Sequence, residues 1–149
     1  MFLLPDINLK LRPKMLDLKP GTRIVSNTFT MGEWASDESA TVESGEYDDE
    51  DTFGSYRTAL LWIVPAKVAG TWKVGQDELV LTQNFQMIEG TLKNGSSNTV
   101  IEKGRLRGDE IRFTAGDSEY SGRVNGDKIQ GQVTTNGIPN AWTATRVSQ

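Results

Sequence analysis

The 149 residues contain neither histidine nor cysteine. That excludes Ser-His-Asp and Cys-His nucleophilic mechanisms, His- or Cys-ligated zinc, and disulfides. Acid–base work at neutral pH would fall to carboxylates, lysine or tyrosine with a tuned pKa. The carboxylates gather in two settings. Asp48-Asp49-Glu50-Asp51 could collect a hard cation such as Ca²⁺, but the run lacks the spaced ligands and turn glycine of a dedicated loop. It reads as a solvated acidic stretch that could also meet a basic partner. Asp109, Glu110 and Asp127 fall at expected hairpin tips, whereas a glycosidase needs two acids facing each other across a cleft. No catalytic residue, metal site or cofactor is assigned from these residues.

The aromatic residues are better placed. Gly70-Thr71-Trp72 opens a run of short strands and Arg146 lies near its end, so a guanidinium stacked on an indole can close the structure. Phe85, Met87, Phe113, Tyr120 and Trp142 recur at alternating positions. They are either core or, together with Trp72, the lining of a ligand pocket.

The elements that must position these residues differ along the chain. From residue 67, segments near 69–74, 78–84, 85–92, 98–106, 110–115, 118–124, 128–134 and 141–147 read as strands. Gly75-Gln76-Asp77, Asn94-Gly95, Gly108-Asp109, Gly116-Asp117, Asn125-Gly126 and Asn136-Gly137 supply turns with the positive φ of tight hairpins. Leu79 and Leu81, Ile111 and Phe113, Tyr120 and Val124, and Ile129 and Val133 alternate, predicting one buried face. Gly104–Ile111 is echoed eighteen residues later by Gly122–Ile129, a spacing of about one hairpin. The expected module, 67–149, is an antiparallel meander closed into a small β-barrel.

Residues 1–66 read as a short α/β segment. Asn8 is expected to cap a helix with Leu9, Leu11, Met15, Leu16 and Leu18 as its apolar positions, and with Pro13 near its first turn. Lys19-Pro20-Gly21 stops it, and Thr22–Phe29 forms a strand. Residues 33–51 hold nine acids and no base, and residues 32–51 read as an exposed loop of disorder-prone composition with Trp34 its one large apolar residue before Tyr47. Thr58–Val64 is a continuous apolar run suited to a strand buried on both faces.

Leu3-Leu4-Pro5-Asp6-Ile7-Asn8-Leu9-Lys10-Leu11-Arg12-Pro13-Lys14, then Lys19-Pro20-Gly21-Thr22-Arg23-Ile24-Val25-Ser26 and Met31-Gly32-Glu33-Trp34, resemble the later half of bacterial class I SAM-dependent methyltransferases. The resemblance covers about residues 2–34, mostly scaffold positions. It implies that the SAM-binding half, with its Gly-rich loop and ribose-binding acid, is not part of this chain. The chain would then be a non-catalytic C-terminal portion or remnant, unable to bind SAM alone. Gly70-Thr71-Trp72 with Arg146 is similar to the lipocalin arrangement of a first-strand tryptophan covered by a last-strand arginine. That resemblance implies the alternative, a barrel that binds a small apolar ligand or a protein partner.

The net charge of −4 is unevenly spread: residues 33–51 are acidic, while residues 52–149 carry eleven bases and nine acids with interleaved signs, and the low pI with that interleaving argues against a nucleic-acid surface. No apolar run approaches membrane-spanning length, so a cytoplasmic protein without membrane contact is expected. The strands of the α/β segment would leave an open apolar edge, and pairing through it predicts a homo-oligomer. Sedimentation at micromolar concentration is expected to show a dimer or larger; a clean monomer would refute it.

Overall fold

The computed structural model describes residues 5–27, 30–43 and 56–148. The chain divides into two compact units, 1–64 and 65–149. The described residues are mainly β: one short helix, a small sheet and a closed eight-stranded barrel.

In the first unit, helix α1 runs Pro5–Leu16. Pro5 takes the first helical position, where its missing N–H costs nothing, and Asp6 and Lys14 suit the two ends of the helix dipole. The expected cap is therefore corrected: Asn8 lies inside the helix, fully buried, and its Nδ2 donates to Thr30 O at 3.3 Å. Pro13 sits in the last turn, and Ile7, Leu9 and Leu18 remain exposed. Strands β1 (Arg23–Asn27), β2 (Glu38–Glu43) and β3 (Tyr56–Ile63) form an antiparallel sheet in the order β1-β3-β2.

The described part of 32–51 is structured, against expectation. Met31 and Trp34 bridge each other and are fully buried, and β2 pairs with β3 from Glu38 to Glu43. The reason is the Trp34–Trp62 contact, with centroids 6.4 Å apart and Trp62 Nε1 donating to Trp34 O at 2.8 Å. Asp37 adds a second anchor, its Oδ2 accepting from Ile63 N at 2.7 Å. β3 is the central strand, buried on both faces at its C-terminal end, where the adjacent Trp62 and Ile63 point to opposite sides, while Ala59 nearer its start is exposed. Among the described residues, β1 and β2 are the edge strands of this sheet. The acidic run Asp48–Asp51 lies outside the described residues.

The second unit holds β4 (Gly70–Val74), β5 (Asp77–Asn84), β6 (Met87–Asn94), β7 (Ser97–Arg107), β8 (Glu110–Ala115), β9 (Ser118–Asn125), β10 (Lys128–Thr135) and β11 (Ile138–Ser148). Each strand pairs antiparallel with the next, and β11 returns to β4, closing the barrel. Two-residue turns join all the strands. One turn had no glycine signal: Phe85-Gln86, where Phe85 adopts φ 57°.

Inward positions follow the expected alternation, and Trp72, Leu79, Leu81, Ile88, Leu106, Ile111 and Ile129 are at most 3% exposed. In β7 the alternation breaks. A bulge at Lys103, φ 54°, switches the inward set from Thr99 and Ile101 to Gly104 and Leu106.

Closing a sheet of this size requires sharp local curvature, and inward glycines supply it. Gly122 of β9 and Gly131 of β10 are register partners, and Gly131 also pairs with Trp142 of β11. A Cβ on Gly131 would lie 1.9 Å from Ser121 O and 2.4 Å from Gly122 Cα. Gly131→Ala must push the two strands apart, and a loss of about 1–3 kcal/mol or more is expected. Thermal unfolding should show it as a clearly lowered Tm; an unchanged Tm would show that the close approach is not required.

Candidate ligand site in the barrel

The turns alternate between two ends. Those at 85–86, 108–109 and 126–127 surround one end, and those at 75–76, 95–96, 116–117 and 136–137 surround the other. The two ends differ chemically.

The first is sealed. Trp72 is fully buried, and its Nε1 donates to Val68 O at 2.9 Å. Gln83 stitches the segment before β4 to the barrel. Its Oε1 accepts from Val68 N at 2.8 Å, and its Nε2 donates to Ala66 O at 2.9 Å and Phe85 O at 2.7 Å. Arg146 lies opposite Trp72 in register, its guanidinium carbon 4.6 Å from the indole centroid. It also donates through Nη2 to Lys67 O. Arg146 Nε stands 3.4 Å from Asp127 Oδ1, close enough for an ion pair but not aligned as a hydrogen bond. With Asp127 largely in solvent, that pair contributes little, and the stack and the carbonyl bond hold the arginine.

Around this end runs a ring of main-chain bonds. Gln86 O accepts from Leu106 N, Asp109 O from Val124 N and Asp127 O from Arg146 N, at 2.7, 2.7 and 2.8 Å. Gly108 O accepts from Ala66 N at 2.8 Å, tying the entering segment into the ring.

The other end is aromatic and incompletely covered. Phe113 and Tyr120 are cross-strand partners, their rings stacked at 4.8 Å with 9° between planes. Trp142 stands edge-on to both, at 5.9 Å from Phe113 and 5.2 Å from Tyr120. Its indole crosses β10 over Gly131, so that Nε1 donates to Ser121 O on β9 at 2.9 Å. The glycine pair thus makes room for the indole that covers it. Val74, Leu92, Tyr120 and Val133 point inward here yet are only partly buried. Ser118 and Thr135, also at inward positions, share a 2.7 Å hydroxyl bond beside them.

Of the residues expected to line a pocket, the fold gathers Phe113, Tyr120 and Trp142. It separates the others. Trp72 is sealed at the opposite end, in register with Arg146 and under its guanidinium. Phe85 is a turn residue at that same end, and Met87 is half-exposed on the outer face; neither lines the interior. Both corrections have one cause: the strand break falls at Phe85-Gln86, which shifts the inward set of β6 to Ile88, Gly90 and Leu92.

Sequence reasoning also passed over Gln83. Its signal was a polar residue in phase with Leu79 and Leu81. The tip carboxylates Asp109 and Glu110 pair instead with exposed Arg123, both at 3.5 Å, a surface role. No group of three or more potential metal ligands occurs among the described residues. Depressions of about 280 and 460 Å³ lie on β7–β10, lined mostly by outward side chains such as Arg112, Ser121, Gln130 and Gln132; the larger also takes in Phe113 and Tyr120 beside Lys103 and Glu119. Charges of both signs and wide access to water make them poorer sites than the aromatic end.

No family model, no curated protein and no solved structure matches this chain. What the fold itself defines is a closed, eight-stranded up-and-down β-barrel, sealed at one end. No helix among the described residues is long and apolar enough to cross a membrane.

Burial raises the Tyr120 hydroxyl pKa above its ordinary value, with a smaller contribution from the Asp77 carboxylate. The neutral phenol is therefore favoured in the folded state. Its stabilising effect is complete below the ordinary tyrosine value of about 10 and is lost as pH rises through the raised value. The difference in tyrosinate absorbance between parent and Tyr120→Phe should show a transition above about pH 10. A transition at or below it would refute the burial of this hydroxyl.

Proposed function

We propose that the barrel binds a small molecule with an apolar body through its aromatic end, without catalysing a reaction. The observation that carries this reading is the asymmetry of the interior. Side chains facing one barrel axis are dry at the sealed end, whereas at the other Val74, Leu92, Tyr120 and Val133 are only partly buried beside the buried Phe113 and Trp142. An eight-stranded barrel is just wide enough either to fill with side chains or to hold one small ligand. Here the sealed half is filled, and the aromatic half offers the partly exposed Tyr120, Val74, Leu92 and Val133 bordered by Ser118 and Thr135 hydroxyls, the usual makeup of a small-molecule site. In these respects the barrel is lipocalin-like.

The methyltransferase resemblance supports a second reading, in which the barrel lies on the substrate side of a larger enzyme. It rests on Leu3–Trp34, in the other unit, and would use the same aromatic end.

Titration with the neutral apolar dye Nile red should give saturable one-site binding. Val133→Trp, which fills the aromatic end, should weaken it by about tenfold or more, roughly 1.4 kcal/mol. Trp72→Phe, at the sealed end, should lower stability while leaving dye affinity unchanged. Equal binding by Val133→Trp and parent would defeat the proposal. SAM in the same assay should give no saturable signal.

A further inference from the structure

The proposed site contains one charged group. Strand alternation gives the inward positions at the aromatic end: Val74, Asp77, Leu92, Thr99, Ala115, Ser118, Tyr120, Val133, Thr135 and Trp142 among them. Asp77 is the only ionisable acid or base at these positions apart from the Tyr120 phenol. It pairs in register with Val74, two residues from buried Leu79 on the same face, and is itself partly buried. The nearby charges Lys73, Glu78 and Lys93 occupy the opposite, exposed phase of the same strands and pair in register with one another. Asp77 forms no ion pair with a described residue. Its carboxylate acts on the Tyr120 hydroxyl, as expected of groups that share one compartment.

Resting on the reading of this end as a binding site, we infer that its ligand is a cation: an apolar or aromatic body carrying an amine or quaternary ammonium, held between Asp77 and the partly exposed ring of Tyr120, which the buried Phe113 and Trp142 back. Two independent features favour that chemistry. Aromatic faces carry negative potential and attract cations, most strongly when water is displaced. A lone inward carboxylate, with no cationic side chain facing it, supplies the opposite charge and repels anions. A neutral apolar ligand would need the rings but would gain nothing from Asp77. An anion would be opposed by both.

The test compares phenylbutylamine, phenylbutanol and phenylbutyrate, which share one apolar body, by tryptophan fluorescence and calorimetry at neutral pH. The amine is expected to bind several-fold to about tenfold more tightly than the alcohol, and the carboxylate more weakly than either. Asp77→Asn should remove the amine's advantage while leaving alcohol affinity within about twofold, since the contacts of the body are intact. In the parent, added salt should shrink the amine's advantage and leave the alcohol unaffected, a readout that does not depend on the variant folding. Equal binding of all three probes would overturn the cation inference and leave the binding end standing. Binding of none would overturn both. An amine preference that survives in a folded Asp77→Asn protein would also overturn the role given to Asp77.

Discussion

The barrel depends on a single non-local closure, the meeting of its last strand with its first. Every other strand pair is a hairpin between neighbours, formed over a two-residue turn. β11 and β4 join positions more than seventy residues apart, as Arg146 and Trp72 do. Such a pairing carries the largest loop-closure entropy in the unit, though that entropy grows only slowly with loop length. It is offset by contacts concentrated at one point: an indole without solvent exposure, a guanidinium stacked on it, and carbonyls of the entering segment held by Arg146, Gln83 and Trp72. A stack of this kind is worth ~0.5–2 kcal/mol, more when dry. The same closure seals one end and leaves the other incompletely covered.

The internal echo between Gly104–Ile111 and Gly122–Ile129 has a physical meaning in this frame. Leu106 and Val124 occupy equivalent places at the sealed end, each donating its N–H to a carbonyl of the preceding turn there. Asp109 and Asp127 occupy equivalent turn positions and accept the corresponding bonds. Gly104 and Gly122 are inward glycines where strands bend, with a Cβ on Gly104 only 2.3 Å from Ile88 O. The repeat is that of a corner used twice around a barrel. It is unrelated to phosphate binding, for which a helix would have to follow each glycine.

Curvature and site are linked through Gly122 and Gly131. Removing two side chains from facing strands lets β9 and β10 approach, and it also vacates the inner surface at that level. Trp142 occupies the vacancy from the third strand and fixes itself on Ser121 O. Tyr120 and Phe113 then pack against its faces and edges rather than against aliphatic neighbours. An aromatic cluster with ring separations of 4.8–5.9 Å is the outcome, next to the only inward carboxylate of that end. In the first unit a comparable role falls to tryptophan pairing: Trp34 and Trp62 bury one face of a three-stranded sheet too small to do so with aliphatic residues alone.

The barrel was legible in the sequence because its determinants are local. Glycine at tight turns and period-two apolar alternation act within a few residues, so all eight strands, their antiparallel order and the inward phase of Leu79, Ile111, Phe113 and Ile129 could be read directly. Where the local signal failed, a distant partner decided. Asn84-Phe85-Gln86-Met87 carries no turn glycine; Gln83 bonding to Phe85 O accompanies the turn and moves Met87 outside. Trp34 looked like a loop residue until Trp62 covered it, and Asn8 like a cap until Thr30 O met it. Asp77 read as a turn residue because its two roles, hairpin end and inward charge, differ only once β4 and β5 are wrapped about an axis. By itself the sequence determined that the chain makes a hairpin-built β-barrel and lacks the residues of histidine, thiol and zinc–thiolate chemistry. Only the tertiary structure decided which aromatic residues meet, which end is sealed and that Asp77 faces inward, because those depend on closure between strands at the two ends of the module.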